Sequence, residues 1–278
     1  MDVARGLAHR VGMAEVPNES NRSSLTPTFI HLENVRKVYR TRGEEFLAVS
    51  DVTMDVREGE LVSLVGPSGC GKTTVLRILA GLHPHDGGVV EIGGAGGAFD
   101  PGRDVGIVFQ QALLLKWRRV LENVLLPAEI LGLPLKVARE RARDLLAMVG
   151  LEGFADKYPY ELSGGMQQRA AIARALIHDP RLILMDEPFG ALDALTRERM
   201  NLELLRIWSE SRKTIVFVTH SIQEAVFLGS QCAVLTASPA RMADYFAIEL
   251  PYPRHLDLKT TYKFGEYTRH IYHLLGME

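Results

Sequence analysis

Cysteine is nearly absent: Cys70 and Cys232 are the only two in 278 residues. That is too few for a disulfide framework and suits a reduced compartment. Long apolar runs are missing as well. The longest, around Ala112 to Leu115 and Arg181 to Met185, fall far short of the roughly 20 residues that cross a bilayer, so no membrane span is expected. The opening segment MDVARGLAHRVGMAEVPNESNRSS has no continuous apolar core followed by a small-residue cleavage site. It is therefore not read as a secretory signal, and a cytosolic location is expected. An excess of charge of one sign is lacking too: 32 Lys and Arg against 34 Asp and Glu leave a formal charge of -2. Such a balance offers no electrostatic case for a nucleic-acid partner. No internal repeat or low-complexity tract interrupts the chain.

What remains is ordinary globular composition, 46% hydrophobic and 24% charged, which speaks against disorder, collagen and coiled coil. At 30.9 kDa the chain is long enough for one large domain, or for a domain with an insertion.

Residues 1–27 carry Ser, Asn, Arg and Glu without apolar periodicity and are read as a mobile tail. Ile30 and Leu32, then Val52, Met54 and Val56, alternate with polar residues as half-buried strands do. Glu60 to Gly66 reads as a strand buried on both faces, and Thr73 to Leu82 turns to helical spacing. Gly88 to Ile92 and Val105 to Phe109 are further strands bounded by Gly or charge. From about 111 to 165 the pattern is that of a helical insertion, with Val137, Arg141, Leu145 and Met148 at helical spacing and Gly150 as a stop. Strands return at Arg181 to Met185, Thr214 to Val218 and Cys232 to Leu235, alternating with helices, which predicts a parallel α/β sheet. The main domain is expected over 28–245. A carboxyl-terminal extension follows over 246–278, with Tyr267, Ile271, Leu274 and Leu275 on one face of a short helix.

Gly66-Pro67-Ser68-Gly69-Cys70-Gly71-Lys72-Thr73-Thr74 fits G-x-x-x-x-G-K-[ST] between a predicted strand and a predicted helix. That flanking context separates it from a mere glycine-rich turn. In such a loop the glycines let backbone N–H groups surround an anion. The helix terminus adds partial positive charge, Lys72 reaches the β- and γ-phosphates, and the Thr73 hydroxyl ligates Mg²⁺. A nucleoside triphosphate is the expected ligand, the class of triphosphatase being open at this point. Cys70 occupies a variable position of the loop and reads as a small filler rather than a redox sensor.

Leu182 to Glu187 is an apolar run ending in two acids, as a strand does where it opens into a ligand crevice. Asp186 is suited to hold Mg²⁺ and Glu187 to orient an attacking water. Leu162-Ser163-Gly164-Gly165-Met166-Gln167-Gln168-Arg169 precedes a helix to about Ile177. Ser163 is its expected cap, and the helix N-terminus offers a second anion site.

With this LSGGQ-type signature, here with Met166 before the glutamine, the chain resembles the ATP-binding-cassette (ABC) ATPases over about residues 30 to 240. The resemblance implies a P-loop NTPase α/β core with a parallel sheet, an antiparallel β subdomain and a helical insertion. It implies ATP as substrate with Mg²⁺, adenine stacking for Tyr39, and sensing of Mg²⁺ and the nucleophilic water for Gln110. By the same resemblance Asp193 lies in a loop that communicates across a dimer, and His220 is the switch histidine at the γ-phosphate. Without the family, each of these reads as ordinary structure. Ser221 departs from the acid that many importer ATPases carry after the histidine, and it is still a good helix cap.

The resemblance further implies a homodimer in which Ser163 and Gly165 of one subunit cover ATP held by Lys72 of the other. It also implies transmembrane permease subunits, with Ala112 to Val120 around Trp117 as the candidate contact, although Trp117 and its apolar neighbours equally suit a local core, and indirectly a solute-binding protein. The chain then sits at the cytoplasmic side of the membrane. PYPRHLDLKT, FGALDALTR and LLKWRRVLENV resemble the nitrate, sulfonate and taurine import ATPases. An exporter, a lipoprotein-release ATPase and an ATP-gated clamp on a soluble partner share the same motor residues and stay open as alternatives.

Overall fold

A computed structural model describes residues 27–41, 43–94 and 98–277; the tail expected over 1–27 lies outside them but for its last residue. The central strands are β3 (Leu61–Val65), β6 (Leu182–Asp186), β7 (Thr214–Thr219) and β8 (Gln231–Leu235), with β5 (Val105–Val108) at one edge. All pair in parallel, in the order β8-β3-β7-β6-β5. Their near-continuous apolar character follows from burial on both faces. Alternate residues divide between two cores. Leu64, Leu184 and Val216 join one cluster, whereas Val65, Ile183 and Phe217 join the other.

The first cluster is closed by α1 (Lys72–Leu79) and by an antiparallel wing, β1 (Thr28–Thr41), β2 (Glu44–Arg57) and β4 (Gly87–Ile92). Ile30, Leu32, Val52, Met54 and Val56 face inward there, as their alternation predicts. The second cluster is covered by α3 (Val120–Ile130), α4 (Leu135–Met148), α5 (Gly164–Leu176), α6 (Ala194–Ser211) and α7 (Ile222–Leu228). A four-residue helix, α2 (Pro101–Asp104), precedes β5.

Two sequence expectations shift. The buried face of α4 is Ala138, Ala142, Leu145 and Leu146, one position round from the stripe read through Val137 and Arg141. Val137 is 62% exposed, and the small alanines let α4 approach its neighbours closely. A ninth strand, β9 (Ala240–Ala247), was not foreseen, and the boundary read at 245 falls inside it. β9 pairs antiparallel with β8 and parallel with β2, so wing and core form one nine-stranded sheet. Its mostly half-buried residues show no clean alternation.

Beyond β9 the chain packs back on the core. Arg254, 3% exposed, donates to the carbonyls of Val226, Phe227 and Gly229 at the end of α7. α8 (Tyr262–Leu274) buries Phe264 and Ile271 in the same core. No helix among the described residues is long and apolar enough to cross a membrane.

Candidate functional site

The turn from β3 into α1 is held close by its neighbours. A Cβ on Gly66 would stand 2.6 Å from the Leu235 carbonyl oxygen. Gly71, at φ +119°, would bring one to 2.7 Å from that of Ala48. Only glycine fits either place. Pro67, Ser68 and Gly69 form the exposed crown of the loop, while Cys70 is buried. Burial pushes the Cys70 thiol up despite nearby Lys72, which agrees with a filler. Lys72, 4% exposed, donates to the carbonyls of Gly66 and Pro67, both at 2.9 Å.

The ends of the neighbouring strands converge on this loop, where open α/β sheets place ligands. Asp186 closes β6, and its Oδ1 accepts the Thr73 hydroxyl at 3.0 Å. Burial pushes the Asp186 carboxyl up, and the Thr73 hydrogen bond opposes this. Glu187 follows at φ +45°, a strained conformation for a residue with a side chain. Its backbone N–H donates to the Val218 carbonyl. One Glu187 oxygen lies 3.6 Å from Lys72 Nζ, and the other lies 2.8 Å from His220 Nδ1 just beyond β7. Gln110, after β5, faces the same place. A Cβ on Gly190 would stand 3.5 Å from Gln110 Nε2 and 3.7 Å from Glu187 Oε2.

Thr73 and Asp186 thus present paired oxygens, and no group of three or more His, Cys, Asp or Glu among the described residues could cage a metal. That donor set fits Mg²⁺, which keeps waters and takes further ligands from phosphate. A glycine loop ending on a helix N-terminus beside a buried lysine fits the triphosphate itself.

Tyr39 stands at the other side of the loop, its hydroxyl 2.9 Å from His83 Nδ1 and 3.4 Å from Thr74 Oγ1. Sequence reasoning missed His83, which carries no local signal. Ser163 caps α5 by accepting from Met166 N, Asp193 caps α6 from Thr196 N, and Ser221 caps α7 from Glu224 N. Gly165 lies against Thr196, its added Cβ 3.2 Å from Cγ2. The signature therefore packs beside Asp193. Among the described residues Ser163 makes no hydrogen bond to the phosphate loop of its own chain.

Three further polar side chains have roles that the sequence reading did not assign. Gln168 donates to the Phe109 carbonyl, and Arg174 donates to those of Ala112 and Leu113, so α5 grips the segment that carries Gln110. Asn123 holds the next stretch through bonds with Leu115, Arg118 and Arg119. A groove of about 330 Å³ runs beside this segment, lined by Phe109, Leu113, Leu126, Ile130, Arg174 and His178. Trp117 is 74% exposed nearby in sequence.

The family model described as ABC transporter matches residues 49–190. An uncharacterized ABC transporter ATP-binding protein of Methanocaldococcus jannaschii is 47% identical over 254 residues, 90% of this chain and 92% of its own. The taurine import ATP-binding protein of Roseobacter denitrificans is 48% identical over 202 residues, 72% of this chain and 74% of its own. Among solved structures, a dimeric ATP-binding cassette in a post-hydrolysis state bound to ADP and Pi matches with a TM-score of 0.68 at 35% identity. That match covers 80% of this chain and all of that one.

Proposed function

We propose, because this chain belongs to the ABC transporter family and is one of its ATP-binding, ATP-hydrolysing subunits, that it powers import of a small oxyanion of the nitrate, sulfonate or taurine type through a separate permease. The observation that carries the motor reading is the Glu187 carboxylate set between Lys72 and His220. Lys72 and the loop amides bind the β- and γ-phosphates, and Tyr39 stacks on the base. Thr73 and Asp186, with Gln110, hold Mg²⁺, which when bound neutralises charge on the phosphate oxygens. Glu187 orients the attacking water in line with the γ-phosphate, and His220 keeps the carboxylate aimed. Gln110 completes the polar wall facing that water.

Two copies act together. Ser163 and Gly165 of one cover the nucleotide held by Lys72 of the other, so ATP favours the closed pair and its hydrolysis the open one. The dimeric state of the related cassette supports this arrangement. The segment Ala112 to Val120 receives the permease, and its Trp117 is exposed, as a contact residue must be. The subunit lies at the cytoplasmic face through that contact, with a solute-binding protein acting on the far side.

Support for the substrate class comes from the taurine import relatives, 45 to 48% identical. The deciding experiment is purification of the complex from membranes, identification of its permease, and reconstitution in vesicles with the cognate binding protein. Uptake of nitrate, a sulfonate or taurine that requires ATP is expected. A complex that instead extrudes its solute, or moves none of these anions, overturns the import reading while leaving the ATPase in place.

A further inference from the structure

Two charged side chains outside the nucleotide site join the loop after Glu187 to the strand end before His220. Arg197, in the first turn of α6, donates Nη2 to the Leu192 carbonyl at 2.8 Å and Nε to that of Phe189 at 3.3 Å; the Gly190 carbonyl lies 3.5 Å from Nη2. The same Nε lies 3.8 Å from Oε1 of Glu224 in α7. Glu224 is 7% exposed, and its Oε2 accepts the Thr219 hydroxyl at 2.5 Å. The Thr219 oxygen in turn accepts the N–H of Ser221 at 3.0 Å. His220 is the residue enclosed between those two. An unbroken chain of polar contacts therefore runs from Phe189 and Leu192 through Arg197, Glu224 and Thr219 to the turn that carries His220.

The pair is not explained by packing alone. Oε1 of Glu224 has no hydrogen-bond partner among the described residues. Burial pushes its carboxyl up, opposed by the Thr219 hydroxyl and by Arg197. A buried carboxylate held this way adds little stability compared with an apolar pair of the same volume. What it supplies is a fixed distance. Glu187 sits in a left-handed backbone conformation, which persists only where the surroundings over-determine it. The segment that must hold it is the one Arg197 grips by its carbonyls.

We propose that Arg197 and Glu224 are positioning residues that act as one unit, holding Glu187 and His220 at the separation hydrolysis needs without touching the nucleotide. The inference rests on the roles given above to Glu187 and His220. Misplacement by about 1 Å is enough to cost on the order of a hundredfold in rate. Because binding energy comes from the Lys72 loop, the loss should fall on kcat and not on KM.

The test is steady-state ATP hydrolysis by the full chain, with thermal melting of each variant. Glu224→Gln and Arg197→Gln should each lower kcat by about tenfold or more, with KM for ATP within about threefold of wild type. The double variant should be no slower than the worse single, because both remove the same coupling. Arg197→Lys, which keeps the charge, should recover part of the loss. Thr219→Val should lower kcat similarly while leaving the ion pair in place. Should the neutral variants fail to fold, Thr219→Val and Arg197→Lys decide the matter. Wild-type kcat in both, or independent multiplication of the two single losses, overturns the proposal. Glu187→Gln serves as the reference: if it retains hydrolysis the catalytic reading itself fails, whereas loss there with no effect at Glu224 refutes only the positioning role.

Discussion

His220 Nδ1 and Glu187 Oε2 lie 2.8 Å apart although 33 positions separate the residues. Lys72 approaches the other carboxylate oxygen to 3.6 Å. The carboxylate is thus held from the start of α1 and from just beyond β7 at once, and an amide in its place would keep the shape but lose the charge that aligns water. Glu187→Gln should bind ATP with near-wild-type affinity, accumulate as an ATP-bound dimer in light scattering, and lose about 10² to 10⁴ in phosphate release. Near-normal release would remove Glu187 from the reaction.

Ser163 caps its own helix, away from any hydrogen bond to the loop of the same chain. Lys72→Ala subunits and Ser163→Arg subunits should each be inactive alone. Mixed, they can form a dimer with one intact composite site, so hydrolysis of up to about half the wild-type rate per dimer is expected, each site being an additive unit. Verified heterodimers with no recovered activity would count against the shared site.

Trp117 is 74% exposed, and the backbone beside it is pinned by Asn123, while Arg118 pairs with Glu129. Truncating the indole should leave the fold intact. Trp117→Ala is expected to keep soluble ATPase activity within about twofold while abolishing solute uptake by reconstituted vesicles, as loss of an aromatic anchor does at an interface. Uptake at the wild-type rate would move the permease contact elsewhere.

Arg254 is buried and supplies donors to three carbonyls at the end of α7, the helix that begins just after His220. Arg254→Ala leaves those carbonyls short of a donor and should cost about 3 kcal/mol in urea unfolding. An unchanged midpoint and slope would show the carboxyl-terminal segment to be a dispensable appendage.

The amino-acid sequence by itself determined what depends on neighbours along the chain. Apolar runs that end in Gly66, in Asp186 and Glu187, and in His220 place the glycine loop and the polar side chains at strand ends. A parallel sheet brings such ends together by geometry alone. Caps at Ser163, Asp193 and Ser221 are equally local, since each needs only the next three residues. Tertiary structure decided the rest. β9 is a strand because β2 and β8 offer it two open edges, and its own residues carry no clear alternation. The inward face of α4 depends on which side allows close approach. Asn123, Gln168, Arg174, Arg197, Glu224 and Arg254 have no individual role that the sequence assigns, although four of them lie in segments it singles out. Their partners are carbonyls, a hydroxyl and charges brought within reach by packing, and burial turns each contact into a fixed distance. No spacing rule along the chain encodes those partners, because a backbone carbonyl looks the same at every residue.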